Sequence, residues 1–180
     1  MRILIAGIGN IFEGDDAFGV EVAQLLSRRT LPEEACVVDF GIRGFDLAYA
    51  LLNGYDVTIL VDATSRGETP GTLYTIQIDP DSTGGLDEPR IDVAPHGMNP
   101  MRVLQLARTM GGSIGRILLV GCEPETLGSE EDGQMGLSAT VAAVVPAAAD
   151  MVEALVRIIL QEDGGVTSQS ERRQQWQQQP

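Results

Sequence analysis

The chain predicts an α/β protein of three layers, with a five-stranded sheet held between helices. Three observations carry this reading. Strand-like apolar runs alternate with segments of helical periodicity along the chain. Two of those runs, residues 2–6 and 57–61, are almost continuously apolar, as in parallel strands covered on both faces. The first ends in the turn Gly7-Ile8-Gly9-Asn10 and leads at once into a helix, which is the first half of a βαβ unit.

The elements follow in order. A helix begins at Asp15 or Asp16 and runs to about Arg29, with Phe18, Val22, Leu25 and Leu26 on one face. A second strand covers 35–40. A helix over 45–52 is stopped by Asn53-Gly54. The third strand, 56–61, carries Asp62 at its carboxyl end. Residues 72–78 alternate and are rich in Thr, Tyr and Ile, which marks an edge strand beside four parallel ones. A long acidic loop, 79–95, leads to His96-Gly97 and a helix over 99–110. The last strand is 114–121. An acidic loop, 123–134, precedes a final helical stretch with Ser138 as N-cap. Pro146 is expected to divide or kink this stretch. Residues 1–162 form one domain, and the Gln- and Ser-rich tail, 163–180, is expected to be disordered.

Composition narrows the function. A net charge of −14 excludes a basic face for nucleic acid or anionic membrane. No apolar run is long enough for a membrane span. The apolar opening ends in a glycine turn and reads as a buried strand, not a signal peptide, so a cytoplasmic protein is expected. Cys36 and Cys122 are far apart and read as two buried thiols.

The opening stretch has the glycines of a nucleotide loop and the wrong charge. Gly7 and Gly9 lack the third glycine of the dinucleotide fingerprint, although Asp39 stands near where a ribose-binding acid would be. Residues 9–14 have P-loop glycine spacing, but Asp15-Asp16 follows, not Lys and Ser or Thr. Glu13, Asp15 and Asp16 repel phosphate and attract a cation or a basic group. Acids in a first helical turn also satisfy the helix dipole without further meaning. Asp62, ending an apolar strand, faces the crevice where such folds bind ligands, with a capping role as the equal alternative. His96 is the single histidine; alone it carries little. Asp16, Asp62 and His96 converging at one sheet edge would suit a borderline divalent cation and leave positions open for substrate. Asp16 is the favoured ligand, with Glu13 and Asp15 as supporting charges. No Gly-x-Ser-x-Gly elbow is present, and neither cysteine has an activating neighbour.

Gly7-Ile8-Gly9-Asn10 followed by Asp15-Asp16-Ala17-Phe18-Gly19 resembles the signature of the [NiFe]-hydrogenase maturation endopeptidases. Val61-Asp62-Ala63, Pro95-His96-Gly97, Leu119-Val120-Gly121 through Glu123-Pro124, and Gly136-Leu137-Ser138 continue the resemblance in order. It implies a three-layer sandwich whose five-stranded sheet has one antiparallel strand. It also implies an endopeptidase that removes the C-terminal extension of a hydrogenase large-subunit precursor after nickel insertion. Asp16, Asp62 and His96 fall on the metal-contacting positions. The nickel is carried by the substrate, and no permanent cofactor is expected. Attack on the scissile bond through a metal-polarised carbonyl or a metal-bound water both remain open, with Asp39 as a base or only a turn former. One departure stands out: the family pattern D-G-G-T-x-G is here Asp39-Phe40-Gly41-Ile42-Arg43-Gly44, which points to altered partner choice. The rival readings are a non-catalytic Rossmann-like nucleotide- or metal-binding module and a nickel metallochaperone, which would need more His or Cys than this chain has.

Overall fold

The computed structural model describes residues 1–79, 100–128 and 133–176, with 165–176 by backbone alone. The strands are β1 (Ile3–Ile8), β2 (Ala35–Gly41), β3 (Val57–Ala63), β4 (Leu73–Ile78) and β5 (Arg116–Cys122). The helices are α1 (Phe18–Leu26), α2 (Gly44–Leu51), α3 (Pro100–Thr109) and α4 (Ala139–Trp176), and a 3₁₀ turn, Asp15–Ala17, precedes α1. One five-stranded sheet has the order β2-β1-β3-β5-β4. β1 pairs parallel with β2 and β3, and β3 with β5; β4 closes the edge antiparallel to β5. The predicted fold class therefore holds in both strand number and direction.

Alternation along the strands builds two cores. Ile3 and Ile5 of β1, Val57, Ile59 and Val61 of β3, and Leu118 and Val120 of β5 pack under α1 and α4. Leu4, Ala6 and Ile8, with Leu60, Ile117 and Leu119, pack under α2 and α3. A strand buried on both faces must be apolar at every position, which is why β1 and β3 read as continuous runs. Each fully buried Leu or Ile contributes roughly 1.5–3 kcal/mol. Phe18, Val22 and Leu26 bring α1 onto the sheet at four-residue spacing. Arg29 then ties the end of α1 to α4 through Asp150 and Glu153, each at 2.7 Å.

Of the two outcomes expected at Pro146, division into two helices is not what the structure shows. α4 is one helix from Ala139 to Trp176, and Pro146 lies within it. The reason is tertiary: Val141 before the proline and Ala148, Ala149 and Val152 after it are buried in the same core. That packing offsets the proline's local cost of roughly 3 kcal/mol. The tail expected to be disordered continues the helix as far as Trp176. Extending an existing helix needs no new nucleus, and Gln169, Glu171, Arg172, Arg173, Gln174 and Gln175 are good helix formers, whereas Gly164 and Gly165 each cost about 1 kcal/mol. Ser138 caps the helix as predicted, its Oγ accepting the Val141 amide at 3.2 Å. Cys122 is buried, but Cys36 is exposed because β2 is an edge strand. Among the described residues, no helix is long and apolar enough to cross a membrane.

Strand order reverses direction at β1: the chain moves from β1 outward to β2, then returns to β3 on the other side. In open α/β sheets the crevice at such a switch, beyond the carboxyl ends of the strands, is where ligands bind. Here that crevice lies between the end of β1 and the end of β3.

Candidate active site

The glycine turn after β1 brings helix and strand into backbone contact. A Cβ on Gly19 would stand 2.0 Å from the Val61 carbonyl oxygen and 2.3 Å from that of Ile8. Gly9 has φ +136°, and a Cβ there would fall 1.7 Å from the Asp16 carbonyl oxygen. Only glycine lets the 3₁₀ turn fold back over the strand end at this distance. Asn10 fixes the turn. Its amide N–H donates to Asp16 Oδ2 at 2.5 Å, its Nδ2 to Glu13 Oε1 at 2.7 Å, and its Oδ1 accepts the Phe12 amide at 3.1 Å.

Asp16 and Asp62 stand at the same end of the sheet, close enough for the charge of Asp16 to act on Asp62. Burial raises the Asp16 carboxyl above the ordinary carboxylate range, the Asn10 amide opposes this, and the Glu13 charge adds to it. Burial pushes Asp62 up well above that range, the charge of Asp16 pushes it further, and the Ala63 amide opposes. Asp62 is 8% exposed. Among the described residues neither acid is paired with an arginine or histidine. Two desolvated carboxylates of like charge disfavour their own ionised forms, and a cation placed between them relieves both costs. His96, the third predicted member, lies outside the described residues, as does most of the acidic loop before it.

Tyr74 walls the Asp62 side. Its hydroxyl donates to the Thr64 carbonyl at 2.7 Å, and the Arg66 guanidinium lies 4.9 Å from its ring centroid. Burial pushes the Tyr74 hydroxyl up to about 12.

Asp39 stands at the end of β2, across β1 from Asp62. Two strand spacings, about 10 Å, separate β2 from β3. Asp39 instead lines a groove of about 350 Å³ with Gly9, Asn10, Phe12, Ile42 and Arg43. The departure at this turn has a structural account in part. Phe40 is 4% exposed and packs into the core under α2, while Ile42 is 62% exposed beside the groove.

Sequence reasoning placed Asp15 and Glu13 as supporting charges at a helix end. Asp15 does support, but across the chain. It is fully buried, and it accepts the amides of Glu125, Thr126 and Ser138 at 2.9, 3.0 and 2.6 Å. Glu123 was missed. Its carboxylate accepts the Ser65 hydroxyl at 2.9 Å and the Arg66 amide at 2.7 Å. Burial pushes Glu123 up, but these donors and the Glu68 and Gly67 amides outweigh it and hold the group below its ordinary range. The signal used for Asp62, an acid just after an apolar strand, also marks Glu123.

Fold and site together define an α/β protein with an acidic crevice at its sheet switch point. The hydrogenase maturation protease family model matches residues 20–155. The hydrogenase 2 maturation protease of Escherichia coli (strain K12) is 33% identical over 162 residues, covering 87% of this chain and 92% of that protein. The hydrogenase expression/formation protein HupD of Rhizobium leguminosarum bv. viciae is 33% identical over 173 residues, covering 94% of this chain and 80% of that protein. The solved structure of the hydrogenase maturating endopeptidase HybD from E. coli has a TM-score of 0.70 at 31% identity, covering 87% of this chain and 93% of that one. The chain belongs to the hydrogenase maturation protease family and is a peptidase.

Proposed function

We propose that this peptidase removes the C-terminal extension of a [NiFe]-hydrogenase large-subunit precursor once nickel has been inserted, and that it recognises the nickel itself. The observation that supports this most is the Asp16–Asp62 pair: two carboxylates held in a desolvated crevice, each with a raised pKa and no basic partner among the described residues. His96 is the third contact in this reading. A weak Asp-Asp-His set binds nickel well only when the precursor contributes further ligands, so cleavage is coupled to nickel insertion. The nickel then supplies Lewis-acid polarisation at the scissile bond. Asp16 and Asp62 orient it, and the buried crevice excludes bulk water. Asp39 lines the adjoining groove, where it serves as a base or only holds the turn.

The test is mass spectrometry of a nickel-loaded large-subunit precursor incubated with wild type, Asp16→Ala, Asp62→Ala and His96→Ala. Wild type releases the extension, and each variant loses cleavage by a factor on the order of 10² or more. Wild-type cleavage by all three variants refutes the site.

A further inference from the structure

Asp16 and Asp62 repel each other and would each be better solvated apart. Something must hold their backbones. We propose that Asp15 and Glu123 are positioning residues that fix the separation of the Asp16–Asp62 pair; this rests on reading that pair as the nickel-facing one.

The argument is one of connectivity. Asp15 has both carboxylate oxygens committed to backbone amides at 125, 126 and 138. Its own amide donates to the Thr126 carbonyl at 3.1 Å. On the preceding residues, the Gly14 amide donates to the Gln134 carbonyl at 2.7 Å, and the Glu13 carbonyl accepts the Gly128 amide at 3.1 Å. The turn that carries Asp16 is thus sewn to the segment after β5 immediately before Asp16 itself.

Glu123 does the same for the Asp62 side. It is 4% exposed. Its Oε1 accepts the Ser65 hydroxyl at 2.9 Å and the Gly67 amide at 3.3 Å, and its Oε2 accepts the Arg66 amide at 2.7 Å. Its backbone amide donates to the Thr72 carbonyl at 2.9 Å, and its carbonyl accepts the Gly71 amide at 2.8 Å. The Thr64 amide donates to the Cys122 carbonyl at 3.0 Å. Residues 64–72 leave β3 directly after Asp62 and Ala63, so this clamp sets where the strand end points. Asp15 grips residues 125 and 126, two and three positions beyond Glu123. Two clusters of charge-assisted hydrogen bonds, joined by the backbone of residues 123–126, therefore link the Asp16 turn to the loop after Asp62. Both oxygens of each clamping carboxylate already accept hydrogen bonds from the frame. Both act through the residues they hold.

Removing one acceptor loosens the frame without emptying a core. Glu123→Gln turns an amide donor toward the Arg66 or Ser65 donor, and Asp15→Asn does so toward one of its three amides. Supporting contacts of this kind typically alter metal affinity or activity by 10–100-fold. The experiment uses the full chain. Thermal unfolding reports the fold, calorimetric titration with nickel ion alone reports the pair, and kcat and KM are taken on nickel-loaded precursor. Glu123→Gln and Asp15→Asn are expected to unfold cooperatively at a lower Tm, bind nickel about tenfold more weakly, and lose kcat about tenfold or more. Glu123→Asp keeps two acceptor oxygens and recovers part of both. Should either variant fail to fold, Ser65→Ala removes a single donor from the clamp and shifts nickel affinity and kcat in the same direction. Folded variants with wild-type nickel affinity and wild-type kcat overturn the proposal. Asp62→Ala in the same assays separates the two claims. If it too is unchanged, the reading of the pair falls; if it alone is impaired, only the positioning role falls.

Discussion

Asp62→Asn is expected to stabilise the protein and to destroy its processing activity. The side chain is nearly isosteric, so the buried site keeps its shape. The substitution removes a charge that burial and the neighbouring Asp16 disfavour. Because the folded-state pKa is raised, the native state holds the Asp62 proton more tightly than the unfolded chain does. Wild-type stability therefore falls as pH rises from the unfolded carboxylate value, about 3.9, through the raised folded value. The penalty is fully present above that folded value. Asp62→Asn lacks this component, so its advantage over wild type is absent at acid pH and grows toward neutrality. Relief of this kind at a functional site is worth about 0.5–2 kcal/mol. Processing of nickel-loaded precursor falls by a factor on the order of 10²–10³, as when a single electrostatic contact to the reacting centre is lost. Thermal unfolding across pH, together with a cleavage assay, reads both effects. Equal stability of the two proteins at every pH would contradict the assigned burial cost.

Gly19→Ala is expected to destabilise the fold severely. The added methyl would lie 2.0 Å and 2.3 Å from two backbone carbonyl oxygens, on β3 and β1 respectively. No side chain can turn aside to make room. α1 would have to lift from both strands, opening the core that Phe18, Val22 and Leu26 fill. The cost is at least about 3 kcal/mol, a large share of a typical domain's 5–15 kcal/mol. The purified variant is expected to unfold at a Tm lower by at least about 6–12 °C, on the scale of about 2–4 °C per kcal/mol, or to be recovered only as aggregate. A soluble Gly19→Ala protein with wild-type Tm would mean that α1 does not press on β1 and β3 as described.

Much of this architecture was legible because one physical rule generated it. Strands buried on two faces are apolar throughout, and β1 and β3 show it. β4, with one exposed side, alternates and was read as the edge. Asp62 was visible as an acid where an apolar run stops. Asp15 and Glu123 were harder. Asp15 bonds to residues 110, 111 and 123 positions away, a relation that no local pattern encodes. Its acid looked like an ordinary helix-dipole residue. The fate of α4 was also a matter of tertiary context. Pro146 divides or kinks a helix by local rules, and burial on both sides of it keeps this helix undivided. Exposure of Cys36 followed from β2 lying at a sheet edge, and strand order is not written in any single segment. Phe40, a departure from the family pattern, became intelligible only as part of the core under α2.

The central claim is that cleavage waits for the substrate's nickel. The direct measurement is the mass of one large-subunit precursor, prepared with and without nickel and incubated with the wild-type protein. The account predicts loss of the C-terminal extension from the nickel-loaded form and an intact mass for the nickel-free form. Equal cleavage of both forms would contradict it.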